Sequence, residues 1–318
     1  MRAPLPVSER ILVIKLSALG DFVLSIGSFQ AIRAHHPRAH ITLLTTAPFA
    51  ELGRALGCFD AVWIDSRPPL WRPGAVWALT RRLRGGAFTR VYDLQRSQRT
   101  GWYFRLAGRP PWVGTVAGCT WRYVPPPDAD TTMHILERET AQLALAGVPP
   151  PQPPELSALA ARADITRFAL PERFALLIPG SAPHRPLKRW PAARYAALAG
   201  TLAAQGTTPV LIGGAAEQAE RADIIAACPR ARDLGGQTDL FDLIALGHRA
   251  RLAVGNDTGP THVIAATGCP TLVLFSRDSH PVKSRPPWPA VRILRRDSLA
   301  ELPFDEVLAQ VHVLAKDG

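Results

Sequence analysis

Residues 10–21 read RILVIKLSALGD, a continuous apolar run that leads into a short turn of small residues. An apolar run without polar alternation predicts a strand buried on both faces, which is typical of a parallel sheet. The pattern from Phe22 to His36 then predicts a helix. Together the two segments form a strand and helix unit of an α/β protein.

The same alternation continues through most of the chain. In the first half it predicts strands at His40–Thr46, Ala61–Ile64 and Thr89–Leu94, and helices at Phe49–Leu56 and Ala75–Arg84. In the second half it predicts strands at Phe174–Ile178, Thr208–Ile212, Leu252–Val254 and Thr271–Phe275, and helices at Ala192–Gln205, Ala215–Ala227, Leu240–His248 and Thr261–Thr267. Alternation at this spacing implies parallel sheets with helices on both faces.

The strongest break in this pattern is the proline-rich segment PPPQPP at residues 149–154. Proline removes backbone donors and favours extended geometry, so this segment is predicted to link two domains, 1–150 and 151–302. A chain of 318 residues is long enough for two such cores. A last helix within 303–318 is predicted to pack back on the first domain. Two such domains are expected to face each other across a ligand-binding cleft.

Composition excludes several classes of protein. With 47% hydrophobic and 20% charged residues, the chain reads as a soluble globular protein and not as a disordered, collagen-like or coiled-coil one. The four cysteines form no C-x-x-C pair, so a disulfide framework or zinc knuckle is not supported and a reducing cytoplasm fits best. Residues 1–10 lack the layout of a secretion signal, and no segment is apolar enough to cross a membrane.

The net charge of +11 is concentrated in one region, residues 67–109, which we call the basic window. It contains ten arginines and a single acidic residue, Asp93. Such a window attracts a polyanion, for which the candidates are nucleic acid, an anionic membrane surface and a phosphorylated glycolipid. The alternative is a solvated face in an arginine-rich protein. The aromatic residues of the window are expected in the core: Trp71, Trp77, Trp102, Tyr103 and Trp112.

The turn after the first predicted strand places an acidic residue, Asp21, at the start of the next helix. A loop of small residues that opens a helix presents backbone N–H groups to an anion. A carboxylate at a helix start also serves as a cap in many proteins. The residues alone therefore leave Asp21 as either a cap or a functional group. The segment lacks G-x-G-x-x-G and is no dinucleotide fingerprint.

Two strand ends of the second half also carry polar residues. The loop that begins at Pro179-Gly180-Ser181 brings Ser181 and Lys188 to a helix N-terminus, which suits a diphosphate; the alternative is a solvated basic loop. Gly213-Gly214 precedes Glu217, a residue suited either to ribose hydroxyls or to the positive end of a helix dipole.

The densest group of polar residues is VGNDTGPTH at residues 254–262. It follows a predicted strand, opens a helix and combines hydroxyl, carboxylate and imidazole groups. The N–H groups of such a helix start can bind phosphate. His262 on its own is also compatible with a partly buried histidine whose hydrogen bonds are satisfied within the protein.

These motifs together resemble glycosyltransferase family 9, the ADP-heptose:lipopolysaccharide heptosyltransferases. The resemblance spans most of the chain and rests on five motifs in the same order: KLSALGD (15–21), DLQ (93–95), PGS with KRWP (179–191), GGxxE (213–217) and NDTGPTH (256–262). It implies a GT-B fold, in which an N-terminal Rossmann-like domain binds the acceptor and a C-terminal one binds the nucleotide sugar. It further implies an inverting transfer that needs neither a metal nor a cofactor.

The resemblance also assigns roles to individual residues. Asp21 is implied to be the general base for the acceptor hydroxyl, and Lys188 to neutralise the leaving diphosphate. The implied donor contacts are Ser181, Glu217 at the ribose, Asp257 at the sugar, the backbone N–H groups of Thr258, Gly259 and Thr261 at phosphate, and His262 nearby. The implied acceptor contacts are Ser17, Arg96 and Arg99.

The function expected from this resemblance is transfer of heptose from ADP-heptose to an anionic lipopolysaccharide inner-core acceptor. The enzyme would work in the cytoplasm, at the inner face of the inner membrane and in contact with its anionic surface. The alternatives are transfer from another nucleotide sugar, a sugar-nucleotide epimerase, and a sugar-nucleotide binder without catalysis. A nucleic-acid-binding protein that uses Arg67–Arg109 is a further class, but no helix-turn-helix, zinc or RNP-like motif accompanies those arginines, so nucleic acid is not expected as a partner.

Overall fold

The computed structural model describes residues 9–69 and 71–317. The chain divides into two compact units, residues 1–152 and 153–318. The prediction that the chain does not begin with a secretion signal concerns residues 1–10, of which 1–8 lie outside the described residues. Among the described helices, none is long and apolar enough to cross a membrane.

The first unit is built on a six-stranded parallel sheet with the order β3-β2-β1-β4-β5-β6. Its strands are β1 (Arg10–Ile14), β2 (His40–Thr45), β3 (Ala61–Ile64), β4 (Arg90–Asp93), β5 (Trp112–Gly114) and β6 (Trp121–Arg122). Its helices are α1 (Leu19–Leu24), α2 (Ile26–His35), α3 (Ala47–Ala55), α4 (Pro73–Gly85), α5 (Gln98–Leu106), α6 (Ala129–Thr132) and α7 (Ile135–Ala144). In β1, Ile11 pairs with Ile41 on one side and Arg90 on the other.

The second unit repeats this architecture, with the strand order β12-β11-β10-β7-β8-β9. Its strands are β7 (Phe174–Ile178), β8 (Thr208–Leu211), β9 (Arg232–Asp233), β10 (Leu252–Asn256), β11 (Thr271–Phe275) and β12 (Val291–Arg295). Its helices are α8 (Ser157–Ala160), α9 (Ala192–Ala204), α10 (Gln218–Ala227), α11 (Leu240–Arg249), α12 (Gly259–Ala266), α13 (Pro281–Ser284) and α14 (Phe304–Asp317). The α/β fold predicted from the sequence is confirmed.

The central strands are buried because each lies between two neighbours and under helices. Every residue of β7 and of β11 is buried, as the apolar runs predict. The last helix, α14, packs on α9 and on β10, β11 and β12 of the second unit. Its predicted packing on the first unit stays a prediction.

The structure corrects the predicted elements in two places. The single helix predicted from Phe22 to His36 is two helices, which meet at Ser25. The N–H of Ser25 bonds to the carbonyls of Asp21 and Phe22, while its hydroxyl bonds to a buried carboxylate, so the residue joins the helices instead of continuing one. The helix predicted at Ala215–Ala227 likewise begins with a 3₁₀ turn, and α10 starts only at Gln218.

The five aromatic residues singled out in and just after the basic window divide into two groups. Tyr103 and Trp112 are buried, as predicted. For Trp71, Trp77 and Trp102 the prediction is wrong, since 82%, 63% and 47% of their surfaces are exposed. Trp71 lies in the turn before α4, Trp77 on α4 and Trp102 on α5, and no further layer of the unit covers them.

Candidate functional site

Each sheet has one place where the strand order reverses, and ligands of open α/β sheets bind at such points, beyond the carboxyl ends of the strands. In the first unit this place lies between β1 and β4. In the second unit it lies between β7 and β10. Four of the five motifs begin at these two places, and GGxxE follows the neighbouring strand β8.

In the first unit, the turn after β1 is tied to the turn after β4. The side-chain oxygen of Gln95 accepts hydrogen bonds from the N–H groups of Leu16 and Ser17, at 2.7 and 3.1 Å. The carbonyl of Leu16 accepts from Thr46 and from the guanidinium of Arg67, at 2.9 and 2.5 Å. The structure therefore brings the first and second motifs together and holds Ser17 at their junction.

Asp21 lies in the first turn of α1 and is half-buried. The N-cap residue of this helix is Ala18, and no side chain caps it. The structure thus does not support the reading of Asp21 as a helix cap. Within the described part of the chain, the Asp21 carboxylate makes no hydrogen bond or ion pair, so its oxygens are available to a ligand.

A buried charged network lies beneath this turn. Glu139 of α7 is fully buried, and its oxygens accept hydrogen bonds from Lys15, Ser25 and Ser28 at 3.0, 2.7 and 2.7 Å. Burial by itself would raise the pKa of Glu139, but the charges of Lys15 and Arg96 and the two hydroxyls outweigh it, so its pKa lies below the ordinary value. The network holds β1, both helices that follow it and α7 in one arrangement.

Asp93, at the end of β4, organises the turn that carries Gln95. One of its oxygens accepts the N–H groups of Gln95 and Arg96, at 3.1 and 3.0 Å. Burial raises the pKa of Asp93 to about 6, although these N–H groups and the charge of Arg96 oppose the shift. Asp93 is thus a structural residue of this turn.

The two arginines predicted to contact the acceptor line different cavities. Arg96 lines a cavity of about 500 Å³ together with Ser97 and Arg105, and its Nη1 is buried without a hydrogen bond to any described residue. Arg99 lines a smaller, mostly apolar cavity of about 210 Å³ between α4 and α5, where it donates to the carbonyl of Pro68 at 3.3 Å. The Arg96 cavity has the charge that an anionic group requires.

In the second unit, Asn256 joins the ends of β7 and β10. Its side-chain nitrogen donates to the carbonyls of Pro179 and Gly180 at 2.7 and 3.2 Å, while its oxygen accepts from the hydroxyl of Tyr195 at 3.1 Å. Ser181 follows directly and is buried. The PGS and NDTGPTH motifs therefore lie side by side at the switch point of the second unit, where they form one wall of the candidate site.

Asp257 is the centre of a cluster of polar side chains at this wall. One of its oxygens lies 2.6 Å from the ammonium of Lys188 and 2.7 Å from the hydroxyl of Ser279, and the other lies 2.8 Å from Nε2 of His262. Burial by itself would raise the pKa of Asp257, but His262 and Lys188 hold it well below the ordinary value. Asp257 therefore stays ionised, and it holds the ammonium of Lys188 and the ring of His262 in position.

The same wall contains the start of α12. Thr258 is its N-cap residue, and Gly259, Pro260 and Thr261 form its first turn. First-turn N–H groups have no acceptor within their own helix, so those of Gly259 and Thr261 can bind an anion, while Pro260 has none to offer. The hydroxyl of buried Thr261 is used internally, since it donates to the carbonyl of Asn256 at 2.7 Å.

Glu217 reaches this wall from the end of β8. It accepts the N–H of Gly214 at 2.7 Å and lies against Gly180, where an added Cβ would come within 2.8 Å of its Cγ. Glycine is therefore required at position 180 for this approach. Glu217 is only half-buried, and its Oε1 makes no hydrogen bond to another described residue, which leaves that oxygen for a ligand.

Two residues of the candidate site were not predicted from the sequence. Ser279 lies in the turn after β11, outside every motif, and no pattern identifies it. For Glu139 there was a signal, because Lys15 interrupts an apolar run and a buried ammonium requires an acidic partner. In the ranges that the structure covers, no three His, Cys, Asp or Glu residues are grouped in a way that could hold a metal ion.

Two six-stranded parallel sheets, each with polar loops at its switch point, are the architecture of GT-B glycosyltransferases. The sequence model of glycosyltransferase family 9 (heptosyltransferase) matches residues 76–304. The chain belongs to this family and is a glycosyltransferase.

The relatives agree with this assignment. The chain is 28% identical over 291 residues to lipopolysaccharide heptosyltransferase 2 of Escherichia coli (strain K12), covering 85% of this chain and 83% of that protein. The structure of E. coli ADP-heptose LPS heptosyltransferase II matches with a TM-score of 0.78 at 25% identity, over 97% of this chain and 99% of that one. A family 9 glycosyltransferase from Veillonella parvula DSM 2008 shares the fold, with a TM-score of 0.83 at 20% identity over 98% of both chains.

Proposed function

We propose that this enzyme transfers heptose from ADP-heptose to an anionic lipopolysaccharide inner-core acceptor, with inversion at the anomeric carbon and without a metal ion. The observation that carries the proposal is the cluster of Lys188, Asp257 and His262 beside the start of α12. It combines a fixed ammonium with free N–H groups, which is what a departing diphosphate requires when no metal neutralises it. The heptosyltransferase relatives supply the sugar and the acceptor class.

The donor is assigned to the second unit. Its diphosphate binds the N–H groups of Thr258, Gly259 and Thr261, with Ser181 and His262 beside it. Glu217 accepts hydrogen bonds from the ribose hydroxyls through Oε1, the oxygen that no other described residue uses. Asp257 directs the sugar and keeps Lys188 in place for the charge that develops as the glycosidic bond breaks.

The acceptor is assigned to the first unit. Asp21, whose carboxylate has no partner among the described residues, removes the proton from the attacking hydroxyl. Ser17 lies four residues before it in the same turn. The anionic groups of the acceptor bind at Arg96, whose buried Nη1 has no hydrogen-bond partner among the described residues, and at Arg99. A lipid-linked acceptor further implies work at the inner face of the inner membrane, in contact with its anionic surface.

Calorimetric titration of the purified protein with ADP-heptose, ADP and UDP-sugars tests the donor assignment. We expect ADP-heptose and ADP to bind and to raise the Tm, because binding to the folded state alone stabilises it by mass action. The variant Glu217→Ala should bind ADP-heptose more weakly, by about tenfold for one lost charged hydrogen bond. If only UDP-sugars bind, the fold assignment still holds but the assignment of ADP-heptose as donor is wrong.

A short DNA duplex serves as the control ligand in the same titration. The basic window makes some binding at low salt unavoidable, and such binding weakens steeply as salt is added. If the duplex alone binds at physiological salt, and neither ADP-heptose nor ADP does, the enzyme assignment of the two switch points is wrong.

A further inference from the structure

Helix α4 packs on the rest of the first unit along a narrow strip only, around Leu79 and Leu83. Among its thirteen residues, all of which the structure describes, only Leu83 is buried. It lies beside α5, and Pro73, Ala75 and Trp77 are among its exposed residues. Trp71, in the turn before it, is the most exposed large apolar residue among those described, at 82%. Large apolar side chains that are exposed close together commonly mark a surface that binds a protein or a membrane.

The charge around this helix has one sign only. Between residues 66 and 92 the sequence contains six arginines and no acidic residue. The guanidinium of Arg81 lies over the ring of Trp77, 5.6 Å from its centroid, and that of Arg105 lies over the ring of Trp102 on α5 at 5.2 Å. Indole rings and cationic groups are thus presented side by side.

We propose that α4 and the turn before it form the surface by which this protein docks on an anionic lipid bilayer. The inference rests on the proposed function only in that a lipid-linked acceptor brings the enzyme to a membrane. Tryptophan favours the level of the lipid headgroups, where its ring is partly apolar and its N–H is hydrated. Arginines are attracted to anionic headgroups at about 1 kcal/mol each.

A bilayer fits this surface better than nucleic acid does. Phosphates of a duplex would use the arginines but leave the exposed alanine, proline and indole surface of α4 in water. A helix that lies in the headgroup region uses both, since its apolar face enters the boundary of the acyl chains while its cationic side chains stay at the surface. The absence of acidic residues from 66 to 92 removes the repulsion that would oppose close approach.

Co-sedimentation with vesicles tests the proposal. Wild-type protein is expected to bind vesicles of phosphatidylglycerol and phosphatidylcholine in equal amounts, and not vesicles of phosphatidylcholine alone. The variant Arg72→Glu with Arg81→Glu should bind the anionic vesicles at least about 30-fold more weakly, because the loss of two cations alone costs about 2 kcal/mol and the two added carboxylates repel the surface. The matched control is Arg38→Glu with Arg230→Glu, which changes the net charge equally at two exposed positions outside residues 66–92 and should retain most of the binding.

A second variant separates docking from non-specific charge attraction. Trp71→Ala with Trp77→Ala leaves every charge in place and should still weaken vesicle binding by about tenfold, because it removes apolar area from the boundary. The proposal is overturned if this variant binds like wild type, if the control pair loses as much as the α4 pair, or if wild type prefers a DNA duplex to anionic vesicles at physiological salt.

The test is independent of the donor and acceptor assignments. The tryptophan variant should bind ADP-heptose with unchanged affinity and should transfer to a deacylated, water-soluble acceptor at the wild-type rate, which also shows that it is folded. If wild-type protein itself transfers no heptose, the proposed function is refuted. The vesicle experiment would still test the membrane-docking proposal, because it does not depend on transfer.

Discussion

Replacement of Asp21 by asparagine is expected to lower kcat for transfer by about 10² to 10⁴-fold, the usual contribution of a positioned general base. The affinity for the donor should be nearly unchanged, because the donor contacts are assigned to the other unit. The free energy of unfolding should also be unchanged, since the Asp21 carboxylate forms no hydrogen bond within the described residues. Steady-state kinetics, donor calorimetry and thermal unfolding of the same preparation measure the three quantities.

Asp128→Asn is a matched control in the same unit. Asp128 is exposed, precedes the short helix α6 and makes no capping bond through its side chain, so this variant should behave like wild type in all three measurements. If Asp21→Asn keeps its activity and instead loses about 1 kcal/mol of stability, the residue is a cap after all and the assignment of the base is wrong.

Replacement of Lys188 by glutamine should lower kcat by about 10² to 10³-fold, the size of effect seen when one preorganised stabiliser of transition-state charge is removed. The ammonium lies 2.6 Å from the Asp257 carboxylate, and about 10% of each of the two side chains is exposed. Breaking a pair this buried leaves an uncompensated charge, so stability should fall as well. Lys316→Gln, at an exposed position of α14, controls for the loss of one positive charge.

The double variant Lys188→Gln with Asp257→Asn separates the two effects. It removes both charges, so most of the lost stability should return, while activity should stay low because no cation faces the leaving diphosphate. If activity returns together with stability, the ion pair has a purely structural role and diphosphate stabilisation must come from elsewhere in the site.

The sequence predicts the buried strands well and the short ones poorly, for a physical reason. β1, β7 and β11 are covered on both faces and therefore read as continuous apolar runs. β6 and β9 contain two residues each, too few for any periodicity. The helix predicted from Phe22 to His36 fails at Ser25, because the hydroxyl that separates α1 from α2 bonds to a carboxylate 114 residues away.

The same distinction applies to the candidate site. Residues that lie together because they follow one strand, such as Asp257 and His262, are visible as a motif. Lys15 and Glu139 are 124 residues apart, and Ser279 reaches Asp257 from the next strand of the sheet, so only the fold brings these groups together. The exposure of the three tryptophans was not predicted for a different reason. Their spacing is that of core residues, and only the lack of a covering layer on α4 reveals them as surface.

The most direct test of the account is transfer itself. Purified protein is incubated with ADP-heptose and a heptose-free lipopolysaccharide acceptor in the presence of EDTA, and the product is examined by mass spectrometry and NMR. The account predicts that one heptose is added per acceptor, with release of ADP, inverted anomeric configuration and no need for a divalent metal. Failure to transfer heptose under conditions in which another nucleotide sugar is used, a product with retained configuration, or full inhibition by EDTA would contradict it.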